Sequence, residues 1–110
     1  KDPAKLPWKD MAVDVVIEST GVFDSFEKAR AHIVAGARKA VISAPVKDVA
    51  PNSATVLVGV NEEKLAVCDV TSNASCTTNS ASPLIAILDE ALGVERALLN
   101  TVSITFSCIS

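Results

Sequence analysis

The chain has 110 residues, 49 % of them apolar, with ten Lys and Arg against thirteen Asp and Glu for a net charge of −3. This length and apolar content suffice for one small domain with a hydrophobic core, which excludes an intrinsically disordered chain. The charge balance argues against a nucleic-acid or membrane partner, and no apolar run is long enough to span a bilayer. Three cysteines, an odd number without a disulfide-framework spacing, fit a reducing, cytoplasmic location. We assign no metal ligand.

Runs of β-branched residues predict the strands of an α/β fold. Residues 13–17 and 39–43 predict the first two strands, residues 55–60 a third and residues 66–70 a fourth. The segment between the first two strands has helical spacing, so the order indicates a βαβ unit with a largely parallel sheet. Residues 97–106 alternate between apolar and polar side chains and predict a further, half-buried strand.

Start and stop signals define the helix between the first two strands. Asp24 or Ser25 can cap its N-terminus, and Glu27 has the spacing of a capping box with Asp24. Apolar residues recur at helical spacing from Phe26 onward, and Gly36 supplies the stop. His32 lies within this helix, and we predict a solvated or partly buried residue there rather than a general base.

A second helix is predicted before Gly93, from an apolar face that repeats at helical spacing. Its start is ambiguous because Pro83 lies inside the pattern. Proline lacks a backbone N–H, so propensity alone starts the helix at Pro83 with Ser82 as the N-cap.

The most informative segment lies just before this helix. Residues 72–79 read Ser-Asn-Ala-Ser-Cys-Thr-Thr-Asn, which surrounds one thiol with small hydroxyl and amide side chains. A helix N-terminus favours the thiolate, the reactive form of cysteine, so Cys76 is a candidate nucleophile. The competing interpretation is that Cys76 is a small buried hydrophobic residue. Cys68 and Cys108 lack such neighbours and are predicted to be structural, and Asn79 is predicted to hold the turn.

The octet closely resembles the active-site segment of glyceraldehyde-3-phosphate dehydrogenases. Other segments resemble that family in its order and near its spacing, namely residues 14–23, 41–45, 58–61 and 98–102. The resemblance extends from Asp2 to Val102 and ends at the last eight residues.

The resemblance implies an internal fragment of such an enzyme. Residues 1–75 would form the second half of a doubly wound, Rossmann-type NAD-binding domain. Residues 76–110 would supply the catalytic-cysteine helix and the first strand of the catalytic domain. We therefore favour a helix that begins near Cys76 and tolerates a bend at Pro83, because this start puts the thiol at the positive end of the dipole. The complete form would be a homotetramer.

The resemblance also implies a reaction. The Cys76 thiolate attacks a phosphorylated aldehyde, a hydride leaves to NAD, and inorganic phosphate releases the thioester as an acyl phosphate. Ser75 and Thr77 would line the substrate and phosphate site, although on their own they are ordinary cap or turn hydroxyls. The expected contacts to NAD follow the first two strands, where ordinary strand-to-loop turns are the alternative: Thr20, Gly21 and Ser43.

The chain departs from the family at one key position. The family carries a base histidine on the strand after the catalytic helix, and Ser103 stands there. The Gly-rich phosphate loop, the acidic ribose ligand, the substrate-phosphate arginine and the nicotinamide-binding asparagine are not found in the sequence. Two interpretations therefore compete, a fragment of a glycolytic enzyme and a non-catalytic remnant. A related dehydrogenase acting on erythrose 4-phosphate shares the cysteine motif and is a further alternative.

Overall fold

The computed structural model describes residues 2–101, which form four strands and three α-helices after a 3-10 turn at Pro3–Lys5. In chain order these are β1 (Val15–Glu18), α1 (Phe26–Val34), β2 (Lys39–Ile42), β3 (Ser53–Thr55), α2 (Lys64–Val67), β4 (Val70–Ser72) and α3 (Cys76–Leu92). The sheet order is β1-β2-β4-β3, and each neighbouring pair is parallel. The predicted α/β fold with a parallel sheet is confirmed.

The core lies between α1 and the middle of the sheet. Residues alternate along β2, so that Ala40 and Ile42 are buried while Lys39 and Val41 are half-buried. Because successive side chains of a strand point to opposite faces, only one face of β2 packs beneath α1. The buried cluster joins both elements to β4 and consists of Phe26, Ala29, Ala40, Ile42 and Val70.

The N-terminus of α1 is capped by Ser25, one of the two predicted caps. The Oγ of Ser25 accepts the Lys28 N–H at 3.2 Å. The predicted capping box of Asp24 with Glu27 is wrong, because the third helical residue after this cap is Lys28. Asp24 instead accepts a hydrogen bond from Lys28 Nζ at 2.8 Å. That hydrogen bond lowers the pKa of the exposed Asp24 carboxyl below its ordinary value of 3.8.

The end of α1 receives the segment that precedes β1. Gly36 has a φ of +107° and provides the predicted stop. A Cβ added there would lie 2.5 Å from Cβ of Lys9, so glycine also allows this close approach. The Lys9 N–H donates to the carbonyl of Ala35 at 3.1 Å. These contacts bring Trp8 next to α1.

The first two strands lie near their predicted positions and the next two do not. The Asn61 side chain accepts the Leu57 N–H at 2.8 Å and donates to the Thr55 carbonyl at 3.0 Å. This closes a loop, so the predicted third strand at 55–60 is wrong and β3 ends at Thr55. The predicted fourth strand at 66–70 is also wrong, because α2 continues to Val67 and β4 begins only at Val70.

The long helix α3 runs through Pro83 from Cys76 to Leu92, and Gly93 ends it with a φ of +73°. The start favoured from the resemblance is confirmed, and the start at Pro83 is wrong. No residue of α3 is buried against the described residues. None of the described helices is long and apolar enough to cross a membrane. Residues 97–101 of the strand predicted at 97–106 have no regular structure, and its remainder lies outside the described residues, as do Ser103 and Cys108.

Candidate active site at the carboxyl edge of the sheet

The predicted site residues lie on three turns at one edge of the sheet. Thr20 and Gly21 follow β1, Ser43 follows β2, and Ser75 and Cys76 follow β4. These three strands are parallel and adjacent in the order β1-β2-β4, so their carboxyl ends lie side by side. Ligands of open α/β sheets bind beyond the carboxyl ends of the strands. The fold therefore brings the three turns to the edge where a ligand is expected.

Buried hydrogen bonds tie the turn after β2 to the cysteine segment. Ser72 is 1 % exposed, and its Oγ donates to the Ala44 carbonyl at 2.7 Å. The same oxygen accepts the Ala74 N–H at 3.1 Å, and the Asn73 N–H donates to the Ile42 carbonyl at 2.9 Å. Because these bonds are largely shielded from water, they fix the position of the two turns relative to each other.

The cysteine lies at the first helical residue of α3. Ser75 is the N-cap, and its Oγ accepts the Thr78 N–H at 3.1 Å. Cys76 is exposed, and its Sγ lies 4.0 Å from Oγ1 of the half-buried Thr77. Backbone N–H groups in the first turn of a helix lack carbonyl partners within the helix and favour negative charge nearby. The thiol is thus accessible and close to groups that suit anionic oxygens.

Asn79 holds the turn before α3, as predicted. Its Nδ2 donates to the carbonyls of Asn73 at 2.6 Å and Ser75 at 2.9 Å. Ala74, between them, has a φ of +59°, a conformation that non-glycine residues rarely adopt. The side-chain amide thus supports a strained turn that leads directly into the cysteine.

The turn after β1 is held by hydrogen bonds to the side chain of Glu18. Thr20 donates both its N–H, at 2.8 Å, and its hydroxyl to Oε1 of Glu18. Gly21 has a φ of +76°, a backbone conformation that favours glycine. A Cβ added there would meet nothing within 4 Å, so space does not restrict this position. Because the Thr20 hydroxyl donates to Glu18, its proton is not available to a ligand, and the turn can offer its backbone groups. Ser43, across the edge, is exposed.

His32 belongs to a buried cluster that the sequence analysis did not identify. The residue is 4 % exposed, so the prediction of a solvated or partly buried histidine is wrong. Its Nε2 lies 2.8 Å from Oε2 of Glu18, and Trp8 Nε1–H donates to its Nδ1 at 3.2 Å. His32 is the chain's one histidine, and these two bonds occupy both of its ring nitrogens.

The environment of Glu18 stabilises its ionised form. Burial raises the pKa of the Glu18 carboxyl, but hydrogen bonds from the Thr20 hydroxyl, the His32 ring and the Thr20 backbone outweigh burial. The pKa therefore lies below its ordinary value of 4.5. A charged carboxylate with these partners functions as a hydrogen-bond acceptor, which suits it to fixing the adjacent turn.

The N-terminus of α1 reaches the same edge but is already occupied. The Asp48 carboxylate accepts the Phe26 N–H at 3.0 Å and the Glu27 N–H at 3.2 Å. This side chain takes the place that an anionic ligand would occupy at a free helix end. The first turn of α3, by contrast, contains no acidic residue. Among residues 2–101, no three potential metal ligands cluster together.

Selective alkylation is expected at Cys76. We expect iodoacetamide to label Cys76 at least about tenfold faster than Cys68, because the buried Cys68 reacts only after local opening. Peptide-resolved mass spectrometry of the folded chain measures both rates, and the same chain in urea is the control in which the rates should converge. Equal rates in the folded chain would contradict the described environments. Slower labelling of Cys108 is the corresponding prediction from sequence.

Comparisons with known proteins give a consistent result. The chain is 53 % identical over 102 residues to glyceraldehyde-3-phosphate dehydrogenase B of Aspergillus oryzae, covering 93 % of this chain and 29 % of that relative. It is 50 % identical over 103 residues to glyceraldehyde-3-phosphate dehydrogenase of Pseudomonas aeruginosa, covering 93 % and 30 %. The enzyme of Thermotoga maritima is 50 % identical over 102 residues, covering 92 % and 30 %. The chain thus spans less than a third of the length of these relatives. No family model matches the chain.

Proposed function

The chain belongs by sequence to the glyceraldehyde-3-phosphate dehydrogenase family, and on that premise we propose that it supplies the nucleophile and part of the cofactor site of an NAD-dependent phosphorylating aldehyde dehydrogenase. The observation that carries the proposal is the exposed Cys76 thiol at the start of α3, beside the turns that follow β1 and β2. The complete protein would act in cytoplasmic glycolysis as a homotetramer.

Cys76 would act as a covalent catalyst. Its thiolate sulfur bonds to the aldehyde carbon while the carbonyl π electrons move to oxygen. The C–H bond then breaks and its hydrogen leaves with both bonding electrons as a hydride, while the C=O bond re-forms and the enzyme carries a thioester. Bound NAD would supply the electron acceptor for this step. An oxygen of inorganic phosphate next attacks the thioester carbon, and the C–S bond breaks to return the thiolate. Two easier steps thus replace one difficult oxidation.

The residues around Cys76 have different capacities to bind the substrate. The Ser75 hydroxyl is engaged by the Thr78 N–H and lies 2.7 Å from the Thr78 hydroxyl, so Ser75 would act by fixing the start of α3. The Thr77 hydroxyl lies 4.0 Å from the thiol sulfur and would donate to a phosphate or substrate oxygen. The N–H groups of the first turn would add to this anion site.

NAD fits the carboxyl edge through a limited set of groups. We propose that Thr20 and Gly21 contact it with backbone atoms and that the exposed Ser43 contacts it with its hydroxyl. The carboxylate of Glu18 is buried and already accepts from Thr20 and His32, so it does not serve as the acidic ribose ligand. The boundary between the cofactor domain, residues 1–75, and the catalytic segment, residues 76–110, is a further proposal. It is supported by the absence of buried residues in α3 among the described part.

A non-catalytic remnant is the second candidate function. Ser103, which lies outside the described residues, stands where the family carries its base, and a serine hydroxyl cannot replace an imidazole near neutral pH. The two candidates differ in one measurable property. A remnant forms no thioester at Cys76 even when the rest of an enzyme is supplied.

Acyl trapping in a grafted enzyme tests the proposal. In the grafted enzyme, residues 2–102 of this chain replace the aligned segment of the Thermotoga maritima relative. The rest of the grafted enzyme, on either side of this segment, is that of the relative. With glyceraldehyde 3-phosphate and NAD but no phosphate, we expect the Cys76 peptide to gain the mass of the acyl group. Added phosphate should remove it, as breakdown of the thioester requires.

Two variants make this result specific. Cys76→Ala should abolish acylation, while Cys68→Ser, at the buried cysteine, should retain it. Absence of acylation in the unmodified grafted enzyme, with its fold verified by circular dichroism, would overturn the proposed function and favour the non-catalytic candidate.

A further inference from the structure

Two buried side chains, Glu18 and His32, and the half-buried Trp8 come from separate segments and meet next to the turn after β1. Glu18 ends β1, His32 lies in α1, and Trp8 precedes the sheet. The side chains of His32 and Glu18 are only 6 % and 4 % exposed. Burial of polar groups is costly unless they are hydrogen-bonded, and among the described residues no buried side-chain nitrogen or oxygen lacks a partner. The cluster is therefore a fully satisfied network.

The hydrogen bonds of this network converge on Glu18. An indole N–H can only donate, so Nδ1 of His32, which faces Trp8 at 3.2 Å, is the unprotonated ring nitrogen. In the neutral ring the proton is then on Nε2, which donates to Oε2 of Glu18 at 2.8 Å. The other carboxylate oxygen accepts from Thr20. Glu18 is thus an acceptor for each of its partners.

The far end of the network is an exposed turn. Thr20 Oγ1, whose proton is given to Glu18, accepts the Val22 N–H at 3.2 Å. Thr20, Gly21 and Val22 are all exposed, so burial contributes little to their order. The carboxylate of Glu18 holds Thr20, and Thr20 in turn holds the Val22 N–H on the far side of Gly21, whose φ is positive.

We propose that Trp8, His32 and Glu18 are positioning residues that order this turn and present the backbone groups of residues 20–21 to the cofactor. The part of the inference that names the cofactor rests on the proposed function. The ordering of the turn rests only on the hydrogen bonds. A change at Trp8, which is linked to Thr20 by hydrogen bonds through His32 and Glu18, is therefore expected to weaken cofactor binding by loosening the turn.

Amide hydrogen exchange of the 110-residue chain tests the ordering without any cofactor. Thr20→Val removes the hydroxyl, and we expect the Val22 amide to exchange about three- to tenfold faster, the factor for losing one hydrogen bond. Thr20→Ser keeps the hydroxyl and should recover most of the slow exchange. Trp8→Phe keeps an aromatic ring but lacks the indole N–H, and it should speed exchange at the Thr20 amide. The amides of β2 serve as the internal reference and should not change.

Two outcomes of the exchange experiment would overturn the positioning role. Acceleration of the turn and of β2 by the same factor would mean that the network only stabilises the fold, and it would overturn the positioning role. Unchanged exchange at Val22 in Thr20→Val would do the same. Because Thr20 is exposed, its two variants keep the test decisive even where Trp8→Phe fails to fold.

Calorimetric titration of the grafted enzyme with NAD tests the second part. We expect Trp8→Phe and Thr20→Val each to weaken binding about three- to tenfold. Glu27→Gln, at an exposed position of α1, is the control that should bind like the parent. A parent that binds no NAD would contradict the proposed function. A parent that binds NAD, with both variants binding equally well, would contradict the positioning role alone.

Discussion

Replacing Glu18 with glutamine is expected to lower the free energy of unfolding of this chain by about 2–4 kcal/mol at pH 7. Glutamine has nearly the same shape, but one end of its amide donates two hydrogens. Whichever way the amide is turned, its NH₂ group faces either the Thr20 donors or the His32 ring. A buried polar group left without a partner costs about 1–3 kcal/mol, and one or two such groups result from this substitution.

Denaturation in urea, followed by tryptophan fluorescence, measures this loss. Trp8 is the single tryptophan and the chain has no tyrosine, so the signal comes from the network itself. Glu27→Gln makes the same chemical change at an exposed position of α1 and should stay within about 0.5 kcal/mol of the unmodified chain. Equal unfolding free energies for Glu18→Gln and the unmodified chain would show that Glu18 is not the acceptor described here.

The same substitution should change how stability depends on pH. The folded-state pKa of Glu18 lies below the ordinary value of 4.5, so the unfolded chain binds its proton first as the pH falls. The contribution of Glu18 is therefore present above about pH 4.5 and is lost as the pH falls through the lower folded-state pKa. Glutamine does not titrate. The difference between the two proteins should accordingly shrink below pH 4.5, and a constant difference down to pH 3 would contradict the pKa shift.

Local patterns predicted the parts of the fold that local forces determine. The β-branched runs located β1 and β2 to within two residues at either end. β4 was misplaced because α2 continues to Val67. β3 was misplaced because the side chain of Asn61 closes a loop within an apolar run that resembles a strand. Such a side-chain bond overrides β propensity, which measures mainly how well a residue packs on a sheet.

The start of α3 shows a different limit. Propensity favoured a start at Pro83, where the missing N–H causes no loss. The cap made by Ser75 and the amide of Asn79 instead begin the helix seven residues earlier, at Cys76. Helix propensity thus favoured the wrong one of two plausible caps, and only the family resemblance favoured the correct one.

The Glu18 network had no local signal at all. Glutamate at the end of a strand is usually exposed, and its bond to Thr20 spans only two residues. Its partner His32 lies 14 positions further along the chain, and Trp8 lies 24 positions before His32. These residues become neighbours only when the βαβ unit folds. A lone histidine, tryptophan and glutamate in unrelated segments carry no spacing from which a cluster can be inferred.

The largest effect is expected from restoring a base at position 103. We consider a second grafted enzyme that contains residues 2–103 of this chain, so that Ser103 replaces the residue that the family uses as its base. Ser103→His in this protein should raise kcat about 10²–10⁴-fold, the range typical of general base catalysis. Ser103→Ala, which also lacks a base, is the matched control and should remain as slow as the serine form.

The measurement follows NADH formation from glyceraldehyde 3-phosphate, NAD and inorganic phosphate. In the Ser103→His protein, the further change Cys76→Ala should remove the gain, since a base without a nucleophile forms no thioester. The 110-residue chain with Ser103→His should show no turnover by itself, because positioning of substrate and cofactor can contribute about 7–11 kcal/mol and the chain provides few groups for it. Turnover by that chain would contradict the expectation that substrate and cofactor are positioned mainly by groups outside it. Equal kcat for the serine and histidine forms of the grafted enzyme would refute the assignment of position 103, whereas a gain that depends on Cys76 would link the two residues in one reaction.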